Sequence, residues 1–424
     1  MMCAMPASIA EVVNPIAPEE IPAWVRAMAT AFLDDPGGPD SARRRAVLES
    51  VWEPDRAWGA QAQGRWVATL RTETRMLSVP GAGAMTADVR ADALTNVTVA
   101  ASHRRQGLLR RMLTASLRAA YERGDAVSIL LAAEWPIYGR FGYAPATLSA
   151  DYLLRSSRRG STCAGDPSRV RIVDAAEFGA IAPGVFARAR RQRAGQLDRA
   201  GSWWDRVLGL GGFGPSPSQP HNLCVHAGDT GPDGILGWKS DGEFGLMPPF
   251  ARVDVSWLSA ATDQAYRDLW AYLTGIDIVD ELRIPGRPVD ERVRWLLPDA
   301  RTLVMTEQVD FLWLRLLDVP GALTARRYAQ PGELVLEVID GGPDDFTDGR
   351  YRLGADGDEV TCEPTNRPAD VVLDQRALAS IYLGGFRLEA RKLDGSAREQ
   401  SPGALARMSA MFSTPLAPWD ATWF

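Results

Sequence analysis

The chain is poor in the residues that most often carry metal or thiol chemistry. Its 424 residues include four cysteines, Cys3, Cys163, Cys224 and Cys362, and three histidines, His103, His221 and His226. The cysteines lie far apart with no CxxC pair, which excludes a zinc ribbon and speaks against a disulfide framework. A three-histidine metal centre would consume every histidine in the chain, so no metal is expected. Lysine is scarcer still: Lys239 and Lys392 are the only two among 47 Lys and Arg residues. With 53 Asp and Glu the formal charge is −6, a poor fit to general nucleic-acid binding, which needs a basic face. No apolar run approaches the ~18 residues of a membrane span. The opening MMCAMPASIAEVV lacks the basic start and long apolar core of a signal peptide. A reduced, cytoplasmic protein with neither a nucleic-acid nor a membrane partner is the expectation.

What is present is a globular composition, 46% hydrophobic, over a length that divides into about three domains. The first 150 residues mix the two periodicities. Residues 20–34 place Ile21, Trp24, Val25, Met28, Ala29 and Phe32 on one helical face, and Leu108–Tyr121 is a second amphipathic helix. Arg65–Leu70, Thr72–Val79 and Leu94–Val99 read as strands, and the apolar run Ala126–Ala133 suits a strand buried on both faces. The pattern predicts an α/β or α+β domain. The polar stretch 157–169 marks a boundary. A second segment, to about 300, contains a strand at Arg169–Asp174 and helices near 175–196 and 263–273. A third contains strands at Leu303–Met305, Phe311–Leu314, Gly332–Asp340 and Val371–Leu373, with helices at Val319–Tyr328 and Gln375–Leu383. The last residues, FSTPLAPWDATWF, carry two prolines and read as extended.

The most informative stretch is VTVAASHRRQGLLRRML, residues 97–113. A strand ends, Arg104-Arg105-Gln106-Gly107-Leu108-Leu109 comes next, and an apolar-periodic helix begins. The first turn of a helix offers unpaired N–H groups and a positive dipole end to an anion. Gly107 permits close backbone approach, and two arginines add charge-assisted bonds. Such a junction suits a pyrophosphate; it also describes a plain strand–turn–helix corner with two solvated arginines. Other motifs fail. Gly209–Gly214 fits GxGxxG but runs into Pro215-Ser216-Pro217, which cannot open the required helix. The arginine run at 188–193 reads as a solvated or subunit-pairing helix face, and His103 as a turn residue.

The R/Q-x-x-G-x-G/A signature after a V-x-V strand resembles that of the GCN5-related N-acetyltransferases. Arg104, Gly107 and Leu109 occupy its positions, with Leu109 replacing the usual small residue. ALTNVTVAASHRRQGLLRRML, IYGRFGYAPAT, DFLWLRLLDVPGALTARRYA, ASIYLGG and the aromatic C-terminus together resemble the enhanced-intracellular-survival (Eis) family over essentially the whole chain. That resemblance implies an acetyl-CoA-dependent N-acetyltransferase acting by direct transfer on amines, aminoglycoside-like or otherwise cationic, or lysine side chains. It implies two GCN5-related acetyltransferase-like domains, the second degenerate, a sterol-carrier-protein-2-like domain, and a hexamer of identical chains. The expected boundaries are 1–156, 157–300 and 301–411, with a tail at 412–424 reaching the active site.

It also assigns roles. Backbone groups of Val97, Thr98 and Val99 would hold the pantetheine arm of acetyl-CoA, and Arg104, Arg105, Gln106, Gly107, Leu108 and Leu109 its pyrophosphate. Tyr138 would protonate the departing sulfur, with Tyr143 as the runner-up, because a neutral phenol of pKa near ~10 can donate to it. Without the resemblance both rings read as an aromatic pair packing a Gly-rich loop. The α-carboxylate of Phe424, ionised at neutral pH, would receive the proton of the substrate ammonium. Asp34, Asn96, Glu134 and Trp423 match acceptor-pocket positions. Trp423 stands where the family has an acid and Asn96 where it has an aromatic wall, so the pocket should be less acidic and differently shaped. The competing function is an apolar-ligand carrier built on an inactive transferase scaffold.

Overall fold

The computed structural model describes residues 10–424 apart from 84, 156–161, 200, 211–218, 241–250, 278 and 343–345. Cys3, and most of the GxGxxG match at Gly209–Gly214, fall outside the described residues. Along the chain, six strands come first: β1 (Glu11–Val13), β2 (Ala57–Ala62), β3 (Arg65–Pro80), β4 (Thr86–Val99), β5 (Val127–Leu131) and β6 (Ala144–Pro145). Helices α1 (Ile21–Ala31), α2 (Pro39–Ser50), α3 (Leu108–Glu122) and α4 (Trp135–Tyr138) lie among them. The next strands are β7 (Leu148–Arg155), β8 (Val170–Val173), β9 (Asn222–Gly228), β10 (Gly231–Ser240), β11 (Ala251–Ala260), β12 (Val279–Arg287) and β13 (Leu303–Asp310), with helices α5 (Ala175–Ala189), α6 (Gly201–Leu208) and α7 (Asp263–Thr274). The chain ends with β14 (Leu312–Leu316), β15 (Gly332–Ile339), β16 (Gly349–Asp356), β17 (Glu359–Pro364), β18 (Val371–Asp374) and β19 (Ala397–Glu399), and helices α8 (Val319–Ala325), α9 (Gln375–Ile381), α10 (Leu388–Arg391) and α11 (Ala404–Phe412).

Three sheets result. Their strand orders are β1-β2-β3-β4-β5-β14-β6, β13-β7-β12-β11-β10-β9-β8 and β17-β16-β15-β18-β19. Sheet membership crosses the expected boundaries at 156 and 300. Strand β7 belongs to the second sheet, and β14 returns to the first, where Leu314 pairs with both Ile129 and Ala144. The reason is burial: every residue of Leu312–Leu316 is buried, so this strand needs a partner on each edge.

Helix α1 buries Ile21, Trp24, Val25, Met28 and Ala29, as their spacing predicts. It stops at Ala31, before the expected end at 34; Leu33 takes φ +64° and Phe32 stays exposed. The two expected strands at 65–79 are one strand. Strand β5 is buried on both faces: Val127 and Ile129 belong to one core cluster and Leu130 to another. The first of these clusters also holds Ala91, Ala93, Leu336, Leu373, Leu378 and Tyr382, so the third sheet and its helices pack on one face of the first sheet. Helix α3 covers the other face through Leu108, Met112, Leu113 and Leu117. Among the described residues no helix is long and apolar enough to cross a membrane, and no group of three His, Cys, Asp or Glu is placed to hold a metal. Cys163, Cys224 and Cys362 are buried free thiols.

Candidate active site

Strands β4 and β5 run parallel, and their pairing stops at Leu94–Leu130. Strand β4 continues to Val99, paired on its other side with β3. Residues 95–99 therefore present backbone along an edge that β5 leaves open. The cause is visible in the β3–β4 register: Thr69 pairs with Thr98 but Arg71 pairs with Thr95, so Asn96 and Val97 together oppose Leu70. Asn96 takes φ +54°, a conformation Asn tolerates better than most residues. Such a bulge bends the strand and re-aims its last residues, Thr98 and Val99. Thr69 Oγ1 donates to the Asn96 carbonyl at 2.8 Å and lies 2.6 Å from Thr98 Oγ1, which fixes the bulge.

Beyond Val99 the chain makes one 3-10 turn at Ala101–His103 and enters the arginine-rich loop. Arg105 and Gly107 both have positive φ, +64° and +73°, and Gly107 caps α3. The first-turn N–H groups of α3, from Leu108 and Leu109 onward, have no helical carbonyl to bond. Arg104, Arg105 and Gln106 are exposed beside them. Arg104 reaches Glu134 at 3.6 Å, which links this loop to the one carrying Tyr138.

Tyr138 ends the single turn α4. Its ring is buried in the cluster that holds Leu94 and Leu130, where the ladder opens, and that Val97, Val99 and Ala132 pack against. It meets Tyr143 edge to face at 6.2 Å. Burial, and secondarily the charge of Glu134, push the phenol up to about 12, so it is neutral at any ordinary pH. Its hydroxyl has no hydrogen-bond partner among the described residues. Tyr143 differs. Its oxygen lies 2.6 Å from Ser128 Oγ, and Ser128 Oγ spends its own proton on the Asp92 carbonyl at 3.1 Å. Tyr143 must therefore donate to Ser128, and its proton is committed. Of the two phenols, Tyr138 has the free one.

The tail after α11 forms no helix or strand, yet it is held throughout. Arg193 donates to the Ala417 carbonyl at 2.7 Å and pairs with Asp290 at 2.6 Å; Asp290 in turn accepts from the Ala417 N–H at 2.9 Å. Trp419 donates its backbone N–H to Ala194 and its indole N–H to Gly286, each at 3.0 Å. Buried Asp420 accepts from the Leu197 N–H at 3.4 Å, and Arg199 Nε donates to Thr422 Oγ1 at 3.1 Å. Arg199 itself lies 4.1 Å from the ring centroids of Phe186 and Trp203. The segment carrying these partners is tied to β3 by the Ser78–Gln196 and Ser78–Gly195 backbone bonds. The arginine run thus corrects the sequence expectation. Arg190 and Arg193 are buried and ion-paired, Arg190 with Asp88 at 2.6 Å, while only Arg188 and Arg191 of the run are exposed. At the end of the tail, Thr95 Oγ1 donates to the terminal Phe424 oxygen at 3.0 Å.

The expected acceptor residues are placed unevenly. Asn96 lies on the bulge next to Thr95, and its Oδ1 accepts from Arg71 Nε at 3.3 Å. Trp423 is exposed and meets Phe311 edge to face at 5.7 Å. Glu134 is turned to Arg104. Asp34 is tied to Arg44 at 2.7 Å in the α1–α2 turn, which offsets its charge. Sequence reading misses Thr95, Arg71, Arg199 and Asp420. Nothing local distinguishes them, since each acts through a partner distant in sequence. It also gives His226 no role. That histidine is fully buried between Asp233 at 2.5 Å and Asp268 at 2.9 Å, a structural clip within the second sheet and α7.

Residues 12–146 match an acetyltransferase (GNAT) domain family, residues 195–316 a second acetyltransferase (GNAT) domain family, and residues 319–420 a sterol carrier protein domain family. An uncharacterized N-acetyltransferase of Streptomyces avermitilis is 38% identical over 413 residues, covering 96% of this chain and 97% of that protein. N-acetyltransferase Eis of Mycobacterium tuberculosis is 33% identical over 329 residues, 76% of this chain and 77% of that one. The crystal structure of Eis1 from Mycobacterium abscessus superposes with a TM-score of 0.83 at 29% identity, covering 98% of this chain and 100% of that one.

Proposed function

The chain belongs to the Eis-like family of GCN5-related N-acetyltransferases, and from that premise we propose that it moves an acetyl group from acetyl-CoA directly to an acceptor amine, with Tyr138 serving the sulfur and the Phe424 carboxylate the amine. The supporting observation is convergence: an open strand edge, an unpartnered neutral phenol and a chain-terminal oxygen meet around the gap between β4 and β5.

Acetyl-CoA supplies the activated acyl carbon. The residues present fit it. The 95–99 edge can bond an extended amide arm as a sheet strand would, and positive-φ Arg105 and Gly107 open the start of α3 to a pyrophosphate. The C–N bond forms as the C–S bond breaks. Phe424 takes a proton from the substrate ammonium, which frees the nitrogen lone pair to attack, and Tyr138 gives its proton or hydrogen bond to the sulfur that gains charge. Thr95 holds the carboxylate in place.

Cationic amines, aminoglycosides and lysine side chains among them, form the starting panel for the acceptor. We take the chain to be a cytoplasmic homo-oligomer, a hexamer by family resemblance. The edge strand β13, with Val304, Met305 and Val309 exposed, offers a surface that assembly would cover. A thiol-release assay with acetyl-CoA and the amine panel, run beside calorimetric acetyl-CoA binding, tests the reading. Release with at least one amine is expected; no binding and no release would overturn it.

A further inference from the structure

Strand β3 carries a charged row on the face where the tail ends. Arg71 pairs directly with Thr95, and residues directly opposed in an antiparallel ladder share a face. Glu73 and Arg75 come at two-residue steps and so line the same face. Arg71 donates to Glu73 at 2.8 Å, and Arg75 donates to the same carboxylate through Nε at 2.8 Å. All three side chains are largely buried, with relative exposures of 7%, 15% and 12%. Helix α6, from the second acetyltransferase unit, brings Arg206 within electrostatic reach of all three, and Arg206 has no ion-pair partner among the described residues. Among the described residues, the three guanidinium groups thus gather around the Glu73 carboxylate, with the Phe424 carboxylate at the Thr95 end of the row. The neighbouring Asp198 is occupied by the Met76 N–H at 3.0 Å. Withdrawing cations from water without matching anions is costly, so a surplus of positive charge here calls for a ligand that completes it.

Resting on the reading of Phe424 as the amine-side base, we propose that the acceptor is an amine carrying an oxyanion, carboxylate or phosphate, and that Arg71, Arg75 and Arg206 receive that group. The amine end meets the Phe424 carboxylate at Thr95. The oxyanion lies further along β3, where Arg206 approaches the Arg71–Glu73–Arg75 row. Substrates that are cationic at both ends are repelled at the second position. The pocket of this chain therefore selects by an internal charge gradient, negative at the reacting amine and positive beyond it.

The test uses the full chain and length-matched probes: 6-aminohexanoate and 6-aminohexyl phosphate against 1,6-diaminohexane and kanamycin. The expected result is a kcat/KM at least tenfold higher for one or both oxyanionic probes than for the diamine. Arg206→Glu and Arg75→Gln should erase the preference through KM, with kcat and acetyl-CoA affinity held. Folding of each variant is checked by thermal melt, and Arg206→Ala is the fallback if the charge reversal does not fold. Turnover of the diamine or kanamycin at equal or better efficiency would overturn this inference and leave the acetyltransferase reading standing. An unaltered preference in folded Arg206 and Arg75 variants would also overturn it. Absence of thiol release with every probe and with the wider amine panel would overturn both.

Discussion

Tyr138 and Tyr143 stand 6.2 Å apart and both are buried, yet they should respond oppositely to loss of a hydroxyl. The Tyr138 hydroxyl has no partner to lose, so Tyr138→Phe keeps the ring packing and should leave stability within about 0.5 kcal/mol of the parent. Its chemical effect should be large: removing a positioned proton donor costs roughly 10²–10⁴ in rate. The loss should fall on kcat, because the donor matters only as sulfur gains charge. Tyr143→Phe should do the reverse. Ser128 Oγ is fully buried and would lose its donor, a cost of about 1–2 kcal/mol, while turnover per folded molecule stays within a few-fold. The acidity adds a second check. Burial holds the Tyr138 phenol at about 12, above its ordinary value, so it remains the protonated donor throughout the range below that. Its ionisation should contribute no fall in kcat between about pH 7 and 10. The assay is steady-state thiol release across pH, paired with calorimetric melts of the three proteins. A Tyr138→Phe enzyme with near-parental kcat, or a Tyr143→Phe enzyme that is stable and inactive, would refute the reasoning.

The same geometry sets three further outcomes. Removing Trp423 and Phe424, or adding one residue after Phe424, should lower turnover about 100-fold while the circular dichroism spectrum and acetyl-CoA binding persist; full turnover would show that the Thr95–Phe424 contact has no chemical part. Gly107→Ala should weaken acetyl-CoA binding and cost about 1 kcal/mol of stability, since nothing crowds a Cβ there but φ is +73°; unchanged affinity by calorimetry would contradict it. Asp420 is pushed up to about 6 by burial, despite the attraction of Arg199, so the folded chain binds its proton more tightly than the unfolded chain does. The resulting stability is fully present below about pH 4 and is lost as pH rises through about 6, a change of up to about 3 kcal/mol. Asp420→Asn should lack that slope in denaturant melts run from about pH 4 to 7, and parallel curves for the two proteins would refute the assignment.

Local pattern is enough for what local chemistry controls. The helical period of Leu108–Glu122 and the Gly107 turn before it place a helix start after a strand, and the structure puts a positive-φ cap there. The Ala126–Ala133 run announces a strand buried on both faces, because only the absence of any polar alternation can signal that. The aromatic content of the last residues argues for a docked tail, and Trp419 and Phe424 are packed or bonded, although Trp423 is mostly exposed. Resemblance, not periodicity, singles out Tyr138 over Tyr143. The structure adds a physical reason: one hydroxyl is free and the other is spent on Ser128.

Other features have no local signature. The exchange of β7 and β14 between sheets is a choice among edges, and an apolar strand states only that it needs two partners, not which. Burial of Arg190 and Arg193 depends on Asp88 and Asp290, which come to meet them, so the same residues in isolation read as a solvated face. The contact between Thr95 and Phe424 spans 329 residues. The row Arg71-Glu73-Arg75 is legible as alternating charges on a strand. That it faces the tail, and that Arg206 joins it from another unit, is decided by how the sheets pack. The sequence by itself determined the strand–Gly107–helix turn and the start of α3, because these arise from hydrogen-bond geometry within a few residues. Tertiary structure alone decided which charges gather where the tail meets β3 and β4, because electrostatic energy depends on distance in space and not along the chain.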